Sequence, residues 1–164
     1  MSEFHFVAST PTAGTQAGLP IADFADGGTI TDIVSMRKYE TAYFMIYFGD
    51  TTGGTCTLTL TVIPCDDALA SNTTTAIPFR YKRVSSGETN TAWTASSSLL
   101  TTVGDHQMYV IMVKTEDLPM VSGETYEYVY VNIAETTNDP ALGGCIIMMA
   151  DPRYNESTLD LVTA

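Results

Sequence analysis

Thr55-Cys56-Thr57-Leu58-Thr59-Leu60-Thr61-Val62 decides the fold class. Threonines fill the odd positions, and Cys56, Leu58, Leu60 and Val62 fill the even ones. A helix would scatter both sets around its axis, whereas a strand sends them to opposite faces. The segment therefore reads as a β-strand with one core face and one weakly polar face.

Working outward, Gly49-Asp50-Thr51-Thr52-Gly53-Gly54 is a turn cluster, and Tyr43 to Phe48 before it is apolar on both parities. The two segments and their Gly-rich link predict a β-hairpin. Further strands are expected at Thr29–Met36, Phe79–Val84, Gln107–Lys114, Thr125–Ile133 and Cys145–Ala150, with a short one at Phe4–Ala8. Turn signals at Ser86-Gly87, Ser122-Gly123, Asn138-Asp139-Pro140 and Gly143-Gly144 separate them. Asp117 to Met120 reads as one helical turn. Seven or eight strands with no ten-residue helix predict an all-β antiparallel sandwich, jelly-roll-like, with an extended N-terminal arm. Residues 1–28 hold the N-terminal strand and the arm, which is rich in Thr, Ala, Gly and Pro from Ser9 onward; 29–154 form the sandwich, and 155–164 a C-terminal tail. The stretch between Pro64 and Ile77 is a long loop, of a length associated with function or mobility.

Composition bounds the rest. The 164 residues suit one domain, and 45% hydrophobic content supports a packed core. Charged residues make up only 16%, while 26 threonines favour strands. No apolar run has the roughly 18 residues of a membrane helix, and no signal peptide is visible at the start. Seven Lys+Arg against 19 Asp+Glu give a net charge of −12. That balance disfavours nucleic acid as a partner, because phosphate binding needs clustered cations. Cys56, Cys65 and Cys145 are odd in number, apolar in setting and without metal-type spacing, so buried thiols are expected.

Catalytic patterns are poor. Of the two histidines, His5 and His106, the second follows Gly104-Asp105 and reads as a turn or interface residue rather than a base. No serine sits in a nucleophile elbow. Asp66-Asp67 are adjacent, without the spaced oxygen ligands of a calcium loop, so a solvated turn is the simpler reading. No phosphate loop, dinucleotide fingerprint or zinc spacing occurs. A non-enzymatic protein without cofactor or metal is expected.

Two stretches suit partner binding better. In Phe79-Arg80-Tyr81-Lys82-Arg83, three of the seven basic residues fall within four positions. Strand parity puts Arg80 and Lys82 on one face, opposite Phe79, Tyr81 and Arg83. Such a stripe either pairs with the chain's own acids or meets an acidic partner. Tyr126, Tyr128 and Tyr130 share the other parity from Val129, Val131 and Ile133; their rings suit an interface or packing between sheets.

Three blocks, in order along the chain, carry a resemblance: Leu19-Pro20-Ile21-Ala22-Asp23 with Gly27-Gly28-Thr29; Cys65-Asp66-Asp67 through Ser71-Asn72-Thr73-Thr74 into Ala76 to Arg83; and Leu142 to Ile147 with Asp151-Pro152-Arg153-Tyr154. Together they resemble small auxiliary head proteins of tailed phages, the decoration or cement proteins. The resemblance implies a virion protein made in the host bacterial cytoplasm and carried on the capsid exterior. Its partners would be the major capsid protein of the shell and further copies of itself, a homotrimer among the forms implied; neither nucleic acid nor membrane is implied. The alternative is a carbohydrate- or receptor-binding sandwich of a fibre or tail, with Trp93 and the tyrosines stacking on sugar rings.

Overall fold

A computed structural model of the chain describes residues 5–9, 23–24, 28–51, 56–85, 91–102, 107–137 and 140–153. Within them lie β1 (His5–Ser9), β2 (Thr29–Ile30), β3 (Val34–Ser35), β4 (Tyr39–Thr51), β5 (Thr57–Cys65), β6 (Phe79–Ser85) and β7 (Thr94–Ser96). These are followed by β8 (Leu99–Thr102), β9 (Gln107–Lys114), β10 (Met120–Val121), β11 (Glu124–Thr125), β12 (Tyr128–Thr137) and β13 (Ala141–Pro152). Eight of these strands have four residues or more, and every strand pairing is antiparallel.

One sheet has the order β1-β13-β4-β9-β6-β7, and a second the order β2-β12-β5-β8 with β3 also on β12. Their inner faces meet in one buried cluster. Ala42, Phe44, Ile46 and Phe48 of β4, Ile111 and Val113 of β9, and Cys145 and Ile147 of β13 come from the first sheet. Leu58, Leu60 and Val62 of β5 and Val129, Val131 and Ile133 of β12 come from the second. The Thr/apolar alternation of residues 57–62 thus has the expected sense: Leu58, Leu60 and Val62 are fully buried, and Thr57, Thr59 and Thr61 line the outer face.

Between β2 and β3 the edge of the second sheet is stitched by Thr31. Its backbone N–H donates to the Val131 carbonyl at 3.0 Å, and its hydroxyl accepts from the Val131 N–H at 3.0 Å. A side chain here replaces a carbonyl in the ladder, so the strand can bend without leaving a buried donor unsatisfied.

The expected hairpin does not form. β4 bonds to β13 and β9, and β5 to β12 and β8, so the two strands lie in different sheets. Both edges of β4 are already occupied, and the apolar sides of β4 and β5 meet across the core. Stacked sheets are about 10 Å apart, a gap the Gly-rich link is long enough to cross.

Gly143-Gly144, read as a turn, lies inside β13. A side chain at Gly143 would come within 2.9 Å of the Tyr47 carbonyl and 3.1 Å of Phe24 and Phe48; one at Gly144 would strike the Tyr47 ring. Phe24 falls in the stretch read as an unpacked arm, yet it is buried. Its N–H bonds to Ala141, and its ring meets Phe48 edge-on at 6.2 Å. The helical turn lies slightly earlier than expected, as a 3-10 turn at Thr115–Asp117 anchored by buried Leu118, and Met120 belongs to β10. Most of the arm and the tail 155–164 lie outside the described residues.

Candidate interaction faces

Arg80 and Lys82 stand on β6 and point away from the core, as their parity requires, with Phe79 buried beneath them. The β-ladder extends this outer face. Arg80 is in register with Met112, which faces Tyr43, which faces Met148. Lys82 is in register with Val110, then Met45, then Ile146. Val84, Met108 and Tyr47 form a third row that ends on Gly144. Four of the chain's eight methionines therefore lie on one outer face, each half-buried. Trp93 reaches over this face from the side of β7: the Lys82 ammonium of β6 lies 4.6 Å from its ring centroid, a cation–π contact, and the Tyr43 ring of β4 meets it obliquely at 6.3 Å, so the two rings span β9 between them. Among the described residues, no carboxylate pairs with Arg80 or Lys82, whereas Arg37, Lys114 and Arg153 pair with Glu127, Glu116 and Glu40.

Tyr128 and Tyr130 lie on the opposite side of the sandwich. They project from β12 on the outer face of the second sheet, in a surface with Ile63, Thr61, Asn132 and exposed Leu100. Arg37 packs over the Tyr128 ring at 5.5 Å and donates to Glu127, whose carboxylate raises the guanidinium pKa further. Burial raises the Tyr130 phenol, with Cys65 adding a smaller effect. Tyr126 is not on that strand: it precedes β12, and its N–H donates to the Pro119 carbonyl. The basic pair and the tyrosines thus belong to two separate faces. The methionine stripe went unnoticed in the sequence. Met45, Met108, Met112 and Met148 come from three strands far apart in the chain, and only their register unites them.

The loop 66–72 is a built turn. The Asp66 carboxylate accepts from the Asn72 amide N–H and side chain, and Asp67 accepts from the Leu69 and Ser71 N–H groups and the Ser71 hydroxyl. These bonds hold both carboxyls below the usual range. The loop therefore carries two negative charges at neutral pH, and its anchoring weakens only as pH falls through those lowered values. Leu69 stands 81% exposed at its tip. Among the described residues no group of three potential ligands is placed to hold a metal, and no helix is long and apolar enough to cross a membrane. His106 lies outside the described residues.

All three cysteines are buried thiols. Burial, with Asp66 and Asp67 adding repulsion, pushes Cys65 up to about 12, and burial also raises Cys145. The thiolate is the reactive form. At pH 8 native Cys65 should therefore react with an alkylating reagent roughly 1,000-fold more slowly than in denaturant. Non-reducing mass spectrometry should find three thiols. A Cys56–Cys65 bridge, or equal labelling rates in both states, would contradict this placement.

Compared with known proteins, the chain matches no family model, no curated protein and no solved structure.

Proposed function

We propose that the chain is a jelly-roll protein that decorates or cements the exterior of a tailed-phage capsid, binding the major capsid protein through its outer faces rather than catalysing a reaction. The strand order carries this reading. With β6–β7 set aside as an extension beyond β9, the sheets reduce to β1-β13-β4-β9 and β2/β3-β12-β5-β8. From β1 to β13 the chain then crosses between them at every step except β5 to β8, which are neighbours in the second sheet, and apart from the β10–β11 hairpin. This order supports a reading as two interleaved Greek keys, an architecture common among viral capsid domains. The resemblance of the three sequence blocks supports the same role.

A shell-bound protein of this kind needs a stiff scaffold and broad surfaces. The shared core supplies the first, and the outer faces of the two sheets supply the second, between the shell and neighbouring copies. Individual contacts at exposed charges contribute only about 0–1 kcal/mol. Retention on a shell therefore relies on many copies and on repeated contacts at high effective concentration. The test is co-sedimentation: purified chain mixed with shells that lack it should pellet with them to a fixed stoichiometry, and no co-pelleting at saturating concentration would reject the proposal.

The second reading, a glycan- or receptor-binding tail module, draws on Trp93, 37% exposed on the outer face of the first sheet, and on the jelly-roll folds found among lectins. Lys82 and the Tyr43 ring already contact that ring, so a sugar would stack on its remaining exposed surface. Titrating Trp93 fluorescence with a sugar panel separates the two readings.

A further inference from the structure

The outer face of the six-stranded sheet is apolar at its centre, basic at one side, and without a described carboxylate among its three central rows. No described strand is layered over it, and the Trp93 and Tyr43 rings that meet above β9 add apolar surface to it. Methionines adapt their shape and are over-used at docking surfaces, and contiguous apolar patches with a polar rim mark contact sites. With strands about 4.8 Å apart and residues rising about 3.3 Å, the four central strands give roughly 400 Å². That is about half of what one partner contributes to a standard stable interface, so the face suits a modest contact repeated many times.

Charge narrows the occupant. The face presents Arg80 and Lys82 on a chain of net charge −12, so any second copy is an acidic partner. One described element of that copy matches in both respects. The loop 66–72 presents Asp66 and Asp67 beside Leu69, the most exposed large apolar side chain among the described residues. No basic residue occurs between Pro64 and Phe79. Its carboxylates are already fixed by Leu69, Ser71 and Asn72, so the tip is preorganised and loses little conformational freedom on docking.

We propose that the methionine-rich outer face of β6, β9, β4 and β13 docks a second copy of this chain, receiving that copy's loop 66–72 with Leu69 on the methionines and Asp66 and Asp67 against Arg80 and Lys82. Face and loop are different surfaces of one copy. The contact is therefore head-to-tail, and it closes into a ring or continues as a chain according to the rotation between copies. The inference stands on the chain's own surfaces and does not depend on the shell reading.

Sedimentation velocity of the full chain in low salt, at up to about 300 µM to reach the weak range, tests it. The average mass of the wild type should rise above the 17.7 kDa of one copy. The double variant Arg80→Glu/Lys82→Glu should stay monomeric, as should Asp66→Lys/Asp67→Lys. Mixing the two variants should restore association, because the acidic loop of the first meets the intact basic face of the second. Disruption of the loop in the second variant leaves that pairing available, so restoration does not require both variants to keep every turn. Leu69→Ser should weaken wild-type association at least several-fold. The proposal is overturned if the wild type remains monomeric throughout, if either charge variant associates like the wild type, or if the mixture stays monomeric.

Discussion

Phe44→Ala should lower the melting temperature by roughly 10 °C. Phe44 is fully buried on β4, in register with Ile111 on one side and Ile147 on the other. Truncating such a ring removes its transfer free energy and leaves a cavity that close-packed neighbours fill only partly, costing about 3–5 kcal/mol. A domain of this length shifts by about 2–4 °C per kcal/mol. The neighbouring Tyr43 points outward and is half-buried, so Tyr43→Ala should cost less than half as much. Thermal unfolding by circular dichroism reads both. Equal shifts would mean that the inner and outer faces of β4 are assigned wrongly, and with them the outer position of the methionine face.

The second large effect is expected on shells. Shells saturated with this protein should open at a higher temperature than bare shells of the same size. A ligand that binds only the assembled state stabilises it by mass action, by about 2.7 kcal/mol per site at a hundredfold excess over Kd. Summed over the many sites of one shell, even weak contacts give a rise of several degrees. Light scattering or dye release during heating measures it. Identical opening temperatures at full occupancy would remove the cement role and leave decoration alone.

Local alternation was legible in the sequence, and the pairing of strands into sheets was not. The alternation of Thr57 to Val62 identified the core face of β5 because period two is a local property. The partner of β5 is not local. A Gly-rich link says that the chain reverses, but it does not say whether the next strand lies beside the first or across the core. The same limit hid Gly143 and Gly144. Paired glycines signal a turn unless a ring occupies their space, and here Phe24, Phe48 and Tyr47 do so. Phe24 was masked by the polar, Pro- and Gly-containing stretch around it. Of the candidate site, the outward aim of Arg80 and Lys82 followed from parity, as did that of Tyr128 and Tyr130. That the two sets occupy opposite sides of the sandwich depends on which sheet each strand joins. The methionine face depends on the register of β4, β9 and β13.

The central claim is attachment to the outside of a shell. Reconstructing the same particle with and without this protein, at a resolution sufficient to place a 17.7 kDa β-sandwich, tests it most directly. Difference density is expected on the exterior surface, in contact with the major capsid protein and repeated at every equivalent lattice position. Superimposable maps, or density confined to a tail or fibre, would contradict it.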